Sequence, residues 1–202
     1  MRVKICGITT KKAADAAVQA GTDFIGFVFA PSKRQITPAN AQTIAATIPA
    51  SVKKVGVFVN ESLENVKKIA KQVGLDFIQL HGDETPEYAK QLDYPVIKAF
   101  SVKPDNLEAI TSYPCEYYLL DSPKGPNRGG NGTTFDWGLL TKINLNHDKI
   151  ILAGGLKPEN IQEAIDTARP AGVDVSSGVE TNGKKDTEKI NQFIANAKRK
   201  DE

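Results

Sequence analysis

Several things are scarce in this chain, and each scarcity excludes something. No apolar run approaches the ~20 residues that a membrane-spanning helix requires. Cysteine occurs twice, as Cys6 and Cys115, so a disulfide framework is not expected, and no paired spacing of metal ligands is present. An excess of one charge is missing too. The 26 basic and 24 acidic residues leave a net charge of +2, too balanced for a nucleic-acid or membrane-surface footprint. The basic run Lys198-Arg-Lys200 reads as a solvated helix end that complements the helix dipole. The N-terminus is strand-like from Val3 and has no apolar leader followed by a small-residue cleavage site, so no signal peptide is expected. A cytoplasmic, soluble protein is the expectation, with no metal, cofactor, nucleic-acid or membrane partner. A monomer or homodimer fits equally, because no decisive apolar stripe marks a subunit contact.

The rest of the chain is ordinary in amount and regular in order. With 202 residues, 40% hydrophobic and 25% charged, the length suits one well-buried domain over 1–202. Short β-branched runs lie near 2–6, 23–29, 53–59, 76–81, 95–100, 116–121, 148–153 and 172–176. Amphipathic stretches separate them. Ala13, Ala14, Ala17 and Val18 share one helical face, as do Val66, Ile69, Ala70 and Val73, and Ile44 and Ile48 behave similarly. Pro38, Pro104 and Pro158 suit a first helical turn, and Gly21 and Gly74 suit a left-handed cap. Strict β-α alternation argues for a parallel sheet with helices outside. A doubly wound sheet of five or six strands leaves runs unused. Eight units of roughly 25 residues make an α/β fold of one kind, a single (β/α)8 TIM barrel of near-minimal length.

Barrel geometry then nominates residues. Strand C-termini open on one face, and active sites sit there. Cys6 ends the run Arg2-Val-Lys-Ile-Cys6, and Asp121 ends Glu116-Tyr-Tyr-Leu-Leu-Asp121. Sharing a cavity, a thiolate and a carboxylic acid make a general base and a general acid. Cys115 falls at the opposite end and reads as structural. The loops after strands 7 and 8, Leu152-Ala-Gly-Gly-Leu156 and Val175-Ser-Ser-Gly-Val-Glu180, are candidates for a phosphate cradle. Gly154, Gly155 and Gly178 let backbone N–H groups approach an anion, Ser176 and Ser177 add hydroxyls, and a helix starting near Gly178 adds its positive end. Arg34, after strand 2, suits a carboxylate, with Lys33 facing solvent. Gln79 and His81, at the end of strand 4, face substrate or orient a neighbour. Alternation places Lys4, Cys6, Asp174 and Ser176 inside the barrel, with Val3, Ile5, Val173 and Val175 toward the helices. Strands 1 and 8 are neighbours in a closed barrel, so a buried Lys4–Asp174 ion pair is predicted, favouring thiolate at Cys6.

The chain resembles phosphoribosylanthranilate isomerase, over nearly its whole length. The likeness lies in Lys4-Ile-Cys-Gly-Ile-Thr9, in Gly26-Phe-Val-Phe29 with Ser32 and Arg34 following, and in Gln79-Leu-His-Gly82. It continues in Gly129-Gly-Asn-Gly132 before Phe135-Asp-Trp137, in Leu152-Ala-Gly-Gly-Leu156 and in Asp174-Val-Ser-Ser-Gly-Val-Glu180. The family more often has threonine or serine where Asn131 stands. The resemblance implies an Amadori rearrangement of a phosphosugar substrate, N-(5′-phosphoribosyl)anthranilate, with neither cofactor nor metal. Asp121 is then the acid that opens the furanose ring, Cys6 the base that removes the C2′ proton, and Arg34 the anchor of the anthranilate carboxylate.

That chemistry needs a thiol pKa pulled down from ~8.5 and an aspartic acid pushed up from ~3.9. The loop over residues 123–132 is a lid candidate that could exclude water. Rival readings are the histidine-pathway sugar isomerase, indole-glycerol-phosphate synthase, and a non-catalytic phosphosugar or flavin-mononucleotide binder.

Overall fold

Side chains alternate across a strand, so a closed parallel sheet turns one set inward and the other toward the helices. A computed structural model describes residues 1–101, 110–121, 137 and 146–199. The strands are β1 (Arg2–Cys6), β2 (Phe24–Val28), β3 (Lys53–Phe58), β4 (Phe77–Leu80), β5 (Val96–Ser101), β6 (Tyr117–Asp121), β7 (Ile150–Leu152) and β8 (Gly172–Val175). They pair in parallel in chain order, and β8 closes onto β1. The predicted barrel is therefore present, and the predicted runs match the strands to within two residues at either end.

The described helices are α1 (Lys11–Gln19), α2 (Pro38–Ala45), α3 (Leu63–Val73), α4 (Pro86–Ala89), α5 (Ile161–Ala168) and α6 (Thr187–Lys198). Local chemistry sets their ends. Ser62 accepts from the Asn65 N–H to start α3, and Gly74, at φ 69°, ends it in the left-handed region. Thr37 caps α2, with Pro38 in the first turn. Pro158 differs from expectation: it lies in a turn before α5, which begins at Ile161. Pro104 lies outside the described residues. Each helix lays one apolar face on the sheet, Val66, Ile69, Ala70 and Val73 in the case of α3. Each such valine or isoleucine side chain contributes about 1.5–3 kcal/mol on full burial.

Two hydrophobic layers result. The outer one, between sheet and helices, takes Val3, Ile5, Val173 and Val175 as alternation requires. The inner one fills the barrel with Phe24, Val55, Ile97, Ala99, Leu119, Ile151 and Ala153. Phe24, Phe77 and Tyr117, the first residues of β2, β4 and β6, close its N-terminal end. Phe24 meets Phe77 edge-on at 5.6 Å and Tyr117 at 6.2 Å. Arg2 covers Tyr117, its guanidinium carbon 5.5 Å from the ring centre.

After β8 the expected helix is only one 3-10 turn, Ser177–Val179. A small hairpin follows, β9 (Glu180–Thr181) and β10 (Lys184–Lys185), which sets Glu180 opposite Lys185. Its turn residues, Asn182 at φ 52° and Gly183 at φ 74°, are the Asn-Gly pair that a tight two-residue turn demands.

Candidate active site

A cavity of ≈ 500 Å³ opens at the C-terminal mouth of the barrel. Cys6 and Asp121, from β1 and β6, both line it. So do Arg34, Gln79, His81, Gly154, Gly155, Asp174, Ser176 and Ser177. Lys33, exposed as expected, borders its rim. Lys4 and Gly178 are not among its lining residues. A broader groove of ≈ 930 Å³ lies between α1 and α6, away from every strand end. The lid candidate at 123–132, with Asn131, lies outside the described residues.

The floor of the cavity is ionic. Lys4, only 1% exposed, donates to Asp174 Oδ1 at 2.9 Å, which is the predicted pair. Burial alone would lower the lysine pKa, but the Asp174 carboxylate, with a smaller contribution from Cys6, outweighs it and holds the ammonium above its ordinary value. Gly26 makes room beside this pair. A Cβ there would come within 2.9 Å of Cys6 Sγ and 3.2 Å of Lys4 Nζ.

Lys4 favours the thiolate at Cys6, but burial of the thiol works against it. Burial pushes the Cys6 pKa up and the Asp174 carboxylate adds to it. Lys4 and Lys185 pull the other way without cancelling it. The main physical reason is burial, which desolvates the thiolate; Asp174 adds a smaller push in the same direction.

On the opposite wall, His81 Nε2 lies 3.7 Å from Asp121 Oδ2. Its other ring nitrogen, Nδ1, is 3.0 Å from Gln79 Nε2. Gln79 is buried, and its Oε1 has no hydrogen-bond partner among the described residues.

The cradle loops are shaped by glycine. Gly154 and Gly155 take φ 86° and 65° in succession, a backbone that side chains rarely tolerate. Gly178 presses on the other loop, since a Cβ there would collide with the Leu156 carbonyl oxygen. Ser176 departs from expectation. Its hydroxyl donates to the Cys6 carbonyl at 3.2 Å and so ties β8 to β1 instead of standing free for an anion.

Arg34 was expected to suit the carboxylate of a ligand. In this structure its Nε and Nη2 donate to a carboxylate of the chain itself, Glu180 Oε1 and Oε2, at 2.7 and 2.9 Å. Lys185 Nζ donates to the same Oε1 at 2.7 Å and to the Ser176 carbonyl at 2.8 Å. Glu180 and Lys185 are the residues that sequence reasoning missed. The Asn-Gly pair at 182–183 was the available signal, because its hairpin makes positions 180 and 185 partners.

Comparison with known proteins resolves the choice among phosphate-binding barrels. A sequence model of the N-(5'-phosphoribosyl)anthranilate (PRA) isomerase family matches residues 3–196. The chain belongs to this family. It is 55% identical to the N-(5'-phosphoribosyl)anthranilate isomerase of Oceanobacillus iheyensis over 202 residues, all of this chain and 98% of that one. The crystal structure of the Thermotoga maritima phosphoribosyl anthranilate isomerase superposes with a TM-score of 0.90 at 44% identity, covering 98% of both chains. A second isomerase structure, in complex with reduced 1-(o-carboxyphenylamino)-1-deoxyribulose 5-phosphate, gives a TM-score of 0.86 at 43% identity with the same coverage. The histidine-pathway isomerase and the indole-glycerol-phosphate synthase readings are thereby set aside.

Proposed function

We propose that Cys6 and Asp121 are the base and the acid with which this isomerase of tryptophan biosynthesis converts N-(5′-phosphoribosyl)anthranilate to 1-(2-carboxyphenylamino)-1-deoxyribulose 5-phosphate. The observation that carries the reading is their shared cavity, fed from strands on different sides of the barrel. Asp121, as the acid, gives its proton to the furanose ring oxygen while the C1′–O bond breaks. The anilino nitrogen lone pair forms the C=N bond of a protonated Schiff base. Cys6, as thiolate, then removes the C2′ proton, and the electrons of that bond move toward the iminium nitrogen. The resulting enolamine tautomerises to the ketone. His81, 3.7 Å from Asp121, is suited to steady that carboxyl group.

The raised Cys6 pKa defines what substrate binding must accomplish. The thiol has to lose its proton in the complex, and Lys4 and Lys185 are the cations facing it that favour the anion. Arg34 holds the anthranilate carboxylate. The loops around Gly154, Gly155 and Ser177 hold the phosphate, with backbone N–H groups as donors. This support is independent of a basic side chain in either loop. No described helix is long and apolar enough to cross a membrane, in keeping with a cytoplasmic catalyst.

The test is turnover of phosphoribosylanthranilate, followed by its fluorescence. Cys6→Ala and Asp121→Asn are each expected to lower kcat by about 10²–10⁴-fold, the range for a lost acid or base, while the reduced product analogue still binds. Near-wild-type turnover in either variant removes that residue from its role. Arg34→Ala is expected to act mainly on KM.

A further inference from the structure

Glu180 and Lys185 do not line the cavity, yet they occupy the space directly behind Arg34, which does. We propose that they are positioning residues: Glu180, backed by Lys185, holds the Arg34 guanidinium so that its remaining donor edge receives the carboxylate of the substrate. The inference rests on the assignment of Arg34 made above.

A guanidinium carries five N–H donors in one plane. Glu180 uses the Nε–H and one Nη2–H. That leaves both Nη1 hydrogens and the second Nη2 hydrogen, and one from each nitrogen forms a second parallel fork. Arg34 can therefore hold Glu180 with one edge and a ligand carboxylate with the other. The two carboxylates are not rivals for the same donors.

The stem of Arg34 is held as well. A Cβ at Gly7, which sits at φ 76°, would lie 2.6 Å from Arg34 Cδ, so the arginine chain rests against the β1 loop. Three segments thus meet at one arginine: the loops after β1 and β2, and the hairpin after β8. Immobilising a long side chain before the ligand arrives removes an entropic cost from binding.

Lys185 completes the charge balance. Arg34 and Glu180 alone sum to zero, and a neutral pair is a poor attractor for an anion. With Lys185, 4% exposed, added to Glu180 Oε1, the trio carries one net positive charge. The hydrogen bonds that Arg34 donates to Glu180 raise the arginine pKa. Burial alone would push the Glu180 pKa up, but Arg34 and Lys185 together hold it below its ordinary value. Burial lowers that of Lys185, which Glu180 partly restores. Lys185 also donates to the Ser176 carbonyl, and Ser176 donates to that of Cys6, so the support reaches the strand carrying the proposed base.

The experiment compares two ligands, the reduced product analogue and its counterpart lacking the ring carboxylate. Glu180→Gln keeps the shape and removes the charge. It is expected to raise KM, and Kd for the carboxylate ligand, by about tenfold, the equivalent of one charge-assisted contact, with a smaller fall in kcat. Kd for the carboxylate-free ligand is expected to move less than about twofold, and it also reports a folded cavity. Lys185→Met also removes a cation facing Cys6, so it is read through Kd alone. It is expected to weaken the carboxylate ligand selectively, and Lys185→Arg to restore it in part. Equal losses for both ligands would reduce the trio to a structural brace and overturn the proposal. A lower KM in Glu180→Gln would make Glu180 a competitor and overturn it equally. If Arg34→Ala leaves KM unchanged, the parent assignment fails. If Arg34→Ala raises KM and Glu180→Gln does not, only the present inference fails.

Discussion

The two ends of the barrel interior are built from the same strands by opposite chemistry. At the N-terminal end Phe24, Phe77 and Tyr117 pack ring against ring. At the C-terminal end the inward positions carry Cys6, Gln79, His81, Asp121, Asp174 and Ser176. The first end is shaped to exclude water and stabilises the closed cylinder. The second keeps a cavity, buries charge, and leaves the Gln79 Oε1 without a described partner. Each of those features costs stability, which is the physical signature of a site kept for chemistry. The Lys4–Asp174 pair forms the floor between the two.

This contrast can be broken or sharpened by substitution. The largest effect is expected for Cys6→Ala, where turnover falls by orders of magnitude while the chemical-denaturation midpoint shifts little. A large loss of stability would mean that the mouth is as structural as the base. Phe24→Ala should invert the pattern. Truncating a buried aromatic residue costs about 3–5 kcal/mol, visible in a urea melt, while kcat per folded molecule stays within a few-fold of wild type.

Lys4→Met should move both readouts. Leaving Asp174 buried and unpaired costs about 3–5 kcal/mol, and turnover falls because a cation facing Cys6 is gone. Adding Asp174→Asn should recover part of the stability, and a strictly additive double variant would argue against the coupling.

The smallest effect concerns pH. The folded state raises the Cys6 pKa, so above the ordinary thiol value of ~8.5 it keeps a proton that the unfolded chain gives up. Stability should therefore fall as pH climbs through that window. Lys4, also raised, acts in the same direction at higher pH: its stabilisation is complete below ~10.4 and is lost above it. Lys185, lowered by burial, acts oppositely. Comparing wild type with Cys6→Ala isolates the thiol: the variant should gain relative stability as pH rises above ~8.5. A pH-independent difference would show that the thiol is not perturbed.

Much of this was legible in residue order. Eight β-branched runs separated by amphipathic stretches admit few closed arrangements, and alternation from Cys6 back to Lys4, and from Ser176 back to Asp174, was enough to predict the buried pair. Ser176 and Arg34 were only half legible. Their location at the mouth followed from the strands before them. Their hydrogen bonds did not, because those run to Cys6 from 170 positions away and to Glu180 from 146 positions away.

Periodicity and strand ends, which are local properties, determined by themselves the cylinder, the end at which its cavity opens, and the nomination of one sulfur and one carboxyl group. Only the tertiary structure decided that burial holds the thiol pKa up against the pull of Lys4, that Ser176 is already engaged, and that Arg34 leans on a hairpin from the far end of the chain. Electrostatics and hydrogen bonding depend on distance through space, and a closed barrel brings its first and last strands into contact.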